Sequence, residues 1–157
     1  MCFICGIENE EGLHTHFYEL EQNRLCGMFK GADVHQGWPK RMHGGITAAL
    51  LDETMGRSMQ IDDPNLWSVT VDLNVRYRKP VPLDQVLYVV GWITNRRRKL
   101  MTAEGYICDA QQNILATATA KYFIQDINDI VDGSEAVDDV LVFTKDDDMP
   151  AYIELPR

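Results

Sequence analysis

The stretch Met42-His43-Gly44-Gly45-Ile46-Thr47-Ala48-Ala49-Leu50-Leu51-Asp52-Glu53-Thr54-Met55-Gly56 decides how the rest of the chain is read. Two glycines stand at the mouth of a helix. They permit close backbone approach where unpaired N–H groups and the positive end of the helix dipole can hold a developing negative charge. From Ile46 to Met59 the helix is apolar on nearly every side, with small residues at Ala48, Ala49 and Gly56, which is the composition of a buried helix. Asp52 and Glu53 sit two turns in, where a carboxylate has to be paired, wet or functional. The plain alternative is that both look out through a solvated stripe. Adjacent helix positions point about 100° apart, so one site is not expected to use both.

Working outward, Asp62-Asp63-Pro64-Asn65 ends the helix near Gln60, because proline disfavours helix in the residue before it. Trp67, Val69, Val71, Leu73, Val75 and Tyr77 then alternate with polar residues, and this period of two predicts a long half-buried strand closed by Pro80 and Pro82. Further strands are predicted over 85–95, 100–109 and 113–125, with turns at Arg96-Arg97-Arg98-Lys99 and Ala110-Gln111-Gln112-Asn113. Upstream, residues 12–20 and 23–30 read as a hairpin turning at Gln22-Asn23, and 31–42 as a loop. Several consecutive strands around one helix imply an α+β domain, an antiparallel sheet wrapped on that helix.

The 157 residues are 45% hydrophobic, enough for one domain with a core. No run of eighteen apolar residues occurs, and Met1-Cys2-Phe3-Ile4-Cys5 lacks the blocks of a signal peptide, so a cytoplasmic location is expected. The cysteines Cys2, Cys5, Cys26 and Cys108 then read as reduced thiols.

The net charge of −9 is concentrated in the tail: residues 126–157 hold ten acidic residues against Lys145 and Arg157. The body is nearly neutral. Within it, residues 76–99 carry seven bases and one acid, Asp84. Such a chain is a poor partner for nucleic acid, but the basic stretch can hold a small polyanion such as a nucleotide cofactor. Its other reading is exposed charge at strand ends and a turn.

These residues carry a resemblance. His43-Gly44-Gly45, Leu50-Leu51-Asp52-Glu53, Thr70-Val71-Asp72-Leu73-Asn74-Val75-Arg76-Tyr77 and Pro80 together resemble the hot-dog-fold acyl-CoA thioesterases, in particular the phenylacetyl-CoA-thioesterase-like branch. The opening Cys2-Phe3-Ile4-Cys5-Gly6, with Asn9 and Gly12-Leu13, is similar to a header of many uncharacterised members. The likeness covers residues 1–125 and leaves 126–157 as an acidic C-terminal extension. It implies hydrolysis of the thioester of a small or medium acyl- or aryl-CoA, with coenzyme A as part of the substrate and no other cofactor.

The resemblance also implies roles. The Gly44 N–H would polarise the thioester carbonyl, Asp52 would act as general base on water or attack the thioester itself, and Thr70 would help place the nucleophile. Relatives often carry Asn or Gln six residues before the histidine; here Gly37 stands there and Gln36 beside it is the candidate. His43 reads as a helix cap, with a catalytic acid as the sharper alternative. Arg76, Arg78, Lys79, Arg96, Arg97 and Arg98 are the candidates for the phosphates of coenzyme A.

Geometry adds an independent expectation. Gly44 and Asp52 lie eight residues apart on one helix, about 12 Å at 1.5 Å per residue. They cannot both touch one carbonyl. If both act, each site combines Gly44 of one chain with Asp52 of another, and the working unit is a homodimer or a dimer of dimers. Cys2-x-x-Cys5 with His14 and His16 has metal-like ligand types, but a single CxxC is a weak signal and no metal is expected. Trp38, Trp67, Trp92, Met55 and Met59 read first as core or interface. Trp38 and the two methionines are the alternatives for an acyl pocket. The competing functions on the same fold are a non-catalytic acyl-CoA sensor and a hydratase or dehydratase.

Overall fold

The computed structural model describes residues 2–130 and 155. After an N-terminal segment the chain forms a hairpin, β1 (His16–Leu20) and β2 (Arg24–Lys30), whose turn residues Gln22 and Asn23 both adopt positive φ. The short strands β3 (Gln36–Trp38) and β4 (Arg41–Met42) follow, then the helix α1 (Gly44–Arg57). Four long strands complete the sheet: β5 (Ser68–Tyr77), β6 (Val86–Arg97), β7 (Leu100–Cys108) and β8 (Ile114–Ile124). A short helix α2 (Ile127–Ile130) ends the continuous described segment. The sheet is antiparallel throughout, in the order β1-β2-β6-β7-β8-β5.

The helix lies on one face of the sheet because its apolar residues meet the inward row of the central strands. Leu50, Leu51 and Met55 are fully buried with Leu87, Val89, Ile107 and Ala116. Contact is closest where two glycines face each other across β6 and β7. A Cβ on Gly91 would stand 2.9 Å from the Met55 backbone, and one on Gly105 would stand 2.7 Å from the Val90 carbonyl. The polar residues buried with the helix satisfy themselves on its own backbone: the Thr54 hydroxyl donates to the Leu50 carbonyl at 2.8 Å and the Ser58 hydroxyl to Met55 at 2.7 Å. On the other face of the sheet, Cys26, Val90, Tyr106 and Cys108 form a second apolar cluster, with Leu155 packed against it.

Four expectations need correction. α1 stops at Arg57, and Ser58–Ile61 continue it as a tighter 3-10 turn. β1 begins at His16 because the backbone before it is already engaged, with Leu13 and Thr15 donating to Phe3 and Ile4. The presumed loop 31–42 contains the β3–β4 hairpin, turned at Lys40 with φ 60°. β5 is an edge strand with a register shift between Thr70 and Asp72. Leu73 and Val75 pack on the core, while Val71 is 60% and Tyr77 52% exposed. The reading of the acidic tail lies outside the described residues, apart from α2 and Leu155. No helix among the described residues is long and apolar enough to cross a membrane.

Candidate active site

Asp52 emerges from α1 on the side that faces β5 and β8, and both strands send a hydroxyl to it. The Thr70 hydroxyl donates to Asp52 Oδ1 at 3.0 Å and to Oδ2 at 3.1 Å. The Tyr122 hydroxyl donates to Oδ1 at 3.0 Å and to the Asp52 backbone carbonyl at 2.9 Å. The two donors meet because Thr70 and Tyr122 are cross-strand partners. Partial burial raises the Asp52 pKa above the usual carboxylate value and the Glu53 charge adds to the rise, while the two hydroxyl bonds oppose it. A carboxylate held in one orientation with a raised proton affinity is suited to take a proton or attack an electrophile.

The carboxylate borders a cavity of about 700 Å³, whose walls include Met59, Leu66 and Trp67 from the far end of α1 and the segment after it. The N-terminal segment forms its opposite side through Cys2, Cys5 and Ile7. Trp67, rather than Trp38, is the pocket tryptophan, since Trp38 is 78% exposed on the β3–β4 hairpin. Met59 lines the pocket and Met55 is core.

Glu53 borders the same cavity as Asp52, contrary to the expectation that one site would not hold both, but its carboxylate is turned to the Cys5 and Arg57 side. It accepts from Arg57 Nε at 2.7 Å, an i,i+4 pair on the same helix.

Gly44 and His43 stand at the other end of α1. His43 Nδ1 accepts the Gly45 N–H at 3.0 Å, so His43 caps the helix. A Cβ on Gly45 would lie 3.0 Å from that same nitrogen, and one on Gly37 would lie 2.9 Å from His43 Cα. Gly37 is thus required by the His43 backbone, while a side chain at Gly45 would press on the capping His43 ring. Gly44 is different: its carbonyl accepts from the Tyr77 hydroxyl at 2.7 Å, and an added Cβ would meet Tyr77 only at 3.5 Å, an ordinary contact. Its N–H belongs to the first turn, which has no intrahelical partner. Gln36 Oε1 accepts from the Lys40 N–H at 2.7 Å, which closes the β3–β4 turn.

The structure therefore brings Asp52 and Thr70 together and leaves Gly44, His43 and Gln36 at the opposite end of the helix. It also divides the basic stretch. Arg76 pairs with Thr117 near one end of the sheet, whereas Arg96 is level with Met101, Tyr122 and Thr70 near the other. Thr70 and Arg76 are six strand residues apart, about 20 Å at 3.3 Å per residue. The seven bases do not form one patch within a single chain. Arg76, Arg78 and Lys79 flank Tyr77 at the Gly44 end, and Arg96–Arg98 lie at the Asp52 end.

Tyr122 is the site residue that the sequence reading missed. The inward row of β8 runs Ala116, Ala118, Ala120, Tyr122, three small residues and then a buried phenol. A buried tyrosine hydroxyl needs a partner, and that was the available signal.

Comparison with known proteins bears on the fold that carries this site. Residues 40–116 match the family described as the thioesterase superfamily. The chain is 29% identical over 119 residues to the acyl-coenzyme A thioesterase THEM4 of Mus musculus, covering 74% of this chain and 50% of that one. It spans about half the length of that curated relative. Among solved structures, a thioesterase superfamily protein superimposes with a TM-score of 0.71 at 24% identity, over 78% of this chain and 59% of that one. A Bacillus halodurans protein crystallised with CoA superimposes with a TM-score of 0.65 at 27% identity, over 72% and 75%. Residues 40–116 carry the thioesterase-superfamily match, and the sheet wrapped on one long helix is the hot-dog fold of the thioesterase proteins on which it superimposes.

Proposed function

We propose that this chain is an acyl-CoA thioester hydrolase acting on a small or medium acyl or aryl group. The observation that carries the reading is the Asp52 carboxylate, oriented by Thr70 and Tyr122 at the edge of a cavity of mixed lining whose apolar part includes Met59, Leu66 and Trp67. The curated relative's name and the CoA-bound neighbour support the substrate class.

In the reaction, Asp52 takes a proton from a water that attacks the thioester carbonyl and passes it to the departing sulfur. In the alternative route the Asp52 carboxylate attacks the carbonyl, the thiolate leaves to give a mixed anhydride, and water then hydrolyses that anhydride to the acid and frees Asp52. The Gly44 N–H of a second copy holds the oxyanion, and the C–S bond breaks to release the acid and the coenzyme A thiol. The dimer follows from the separation of Gly44 and Asp52 along α1, about 12 Å. Pairing two copies in this way also resolves the divided charge. Arg76, Arg78 and Lys79 lie near Gly44 and Arg96–Arg98 near Asp52, so a composite site has basic groups from both chains for the phosphates of coenzyme A. The four free thiols support a reducing, cytoplasmic setting.

The test is thiol release from a panel of acyl-CoA thioesters. Turnover of at least one member, lost in Asp52→Asn and largely kept in Glu53→Gln, supports hydrolysis. Tight binding of acyl-CoA without release of thiol would favour the non-catalytic sensor.

A further inference from the structure

The segment before β1 is fastened against α1 on the side of Asp52 and Glu53. Ile4 is buried in the core, Leu13 and Thr15 donate to the Phe3 and Ile4 carbonyls, and the Phe3 ring meets the buried His35 ring edge-on at 5.9 Å. Inside it the Gly6 N–H closes a turn on the Cys2 carbonyl at 2.9 Å. That turn sets the two thiols of Cys2-x-x-Cys5 beside the helix, with both sulfurs and a Glu53 carboxylate oxygen within 4.8 Å of one another. Arg57 reaches into the group from below. Its Nη2 donates to Cys5 Sγ at 3.1 Å while its Nε holds Glu53, and its guanidinium lies over the Phe17 ring.

Two sulfurs and a carboxylate are ligand types for a soft cation, but a guanidinium already occupies two of the three. His14 is engaged on the Asn9 carbonyl at 2.7 Å. The arrangement suits thiol chemistry better. Cys2 is exposed, and the neighbouring Cys5 thiol holds its pKa down, to about 6. Cys5, whose thiol donates to a Glu53 oxygen at 3.6 Å, is pushed up by Cys2, by burial and by the Glu53 charge, so it keeps its proton. Cys26 and Cys108 are buried beneath the outer face of the sheet and pushed up to about 12. One pair is therefore reactive and the other is inert.

We propose that Cys2 and Cys5 form a reversible dithiol–disulfide couple, oxidised by peroxide, at the rim of the cavity that holds Asp52. The Cys2 thiolate attacks one peroxide oxygen, the O–O bond breaks and hydroxide leaves, giving a sulfenic acid on Cys2. Cys5 Sγ then attacks the Cys2 sulfur. The S–S bond forms, and the sulfenic oxygen leaves with the Cys5 proton as water, so two thiols give two electrons to one peroxide. An external dithiol reverses the step by exchange.

The experiment treats the reduced full chain with hydrogen peroxide, alkylates it under denaturing conditions and locates the labels by peptide mass. All four cysteines should be labelled before oxidation and only Cys26 and Cys108 after it. The Cys2–Cys5 peptide should be about 2 Da lighter, and dithiothreitol should restore it. The oxidation rate should be half-maximal near pH 6, against about 8.5 for an ordinary thiol. Cys5→Ser should stop at the sulfenic acid, trapped by dimedone on Cys2. The proposal is overturned if Cys2 runs on to sulfinic acid while Cys5 stays labelled, if all four thiols survive, or if native mass finds stoichiometric zinc protecting both.

Discussion

Replacing Tyr122 by Phe removes one oxygen atom and asks whether Asp52 is held from β8. The residue is 2% exposed, and its hydroxyl lies 3.0 Å from Asp52 Oδ1 and 2.9 Å from the Asp52 carbonyl. A hydrogen bond to a charged acceptor contributes about 1.5–3 kcal/mol, so a loss of roughly 2 kcal/mol is expected while Asp52 is ionised. At about 2–4 °C per kcal/mol for a chain of this size, Tm should fall by roughly 4–8 °C. Thr70→Val breaks bonds of nearly the same length, 3.0 and 3.1 Å, but at an exposed residue. Its cost should stay below about 1 kcal/mol. The Tyr122 bond favours the carboxylate form, so its loss raises the Asp52 pKa further. The acid limb of the thiol-release profile should then move to higher pH, and the stability deficit should shrink on acidification as Asp52 protonates. Calorimetry across pH and a pH–rate profile on one acyl-CoA read both effects. An active Tyr122→Phe enzyme with unchanged Tm and an unmoved acid limb would refute the assignment.

Three further outcomes follow from the same contacts. Asp52 has a raised pKa when folded, so the folded state binds its proton more tightly; stability falls as pH rises from the unfolded value through the folded one. Asp52→Asn should therefore be inactive yet at least as stable as the parent at neutral pH, with the gain disappearing in acid, as read by denaturant melts. Gly91→Ala places a Cβ 2.9 Å from the Met55 backbone, which cannot swing aside as a side chain can, and should cost roughly 3 kcal/mol by chemical denaturation. Reversing the charge at Arg96, Arg97 and Arg98 together should raise KM for acyl-CoA more than for a short pantetheine thioester, with kcat little changed; equal effects on both substrates would make this end of β6 a solvated strand end.

The parts legible in the sequence are those that local periodicity controls. The apolar helix with its two carboxylates, the β1–β2 turn at Gln22-Asn23 and the four long strands follow from spacing alone. Asp52 stands out because a carboxylate interrupts an apolar helix, whereas Thr70 is an ordinary polar member of the alternating strand and is singled out only by the family resemblance. What was hidden depends on contacts between distant residues. Cys5 meets Arg57 across 52 positions, and Tyr122 meets Asp52 across 70. The basic stretch misled for the opposite reason: neighbours in sequence are carried apart when an extended strand intervenes. The β3–β4 hairpin escaped notice because its positive-φ residue is Lys40, where a glycine would have announced the turn.

The most direct measurement of the central claim is complementation between two inactive chains. Gly44→Pro removes the N–H proposed to hold the oxyanion. Proline is tolerated at a first helical position, and His43 before it is already extended at φ −62° and ψ 135°. Asp52→Asn removes the carboxylate. Each homo-oligomer should fold and be inactive. In a mixed dimer one composite site carries both lesions and the other carries neither, so the heterodimer should recover about half of the parental activity. Heterodimers confirmed by native mass that stay at the background of their parents would show that Gly44 and Asp52 do not meet across an interface.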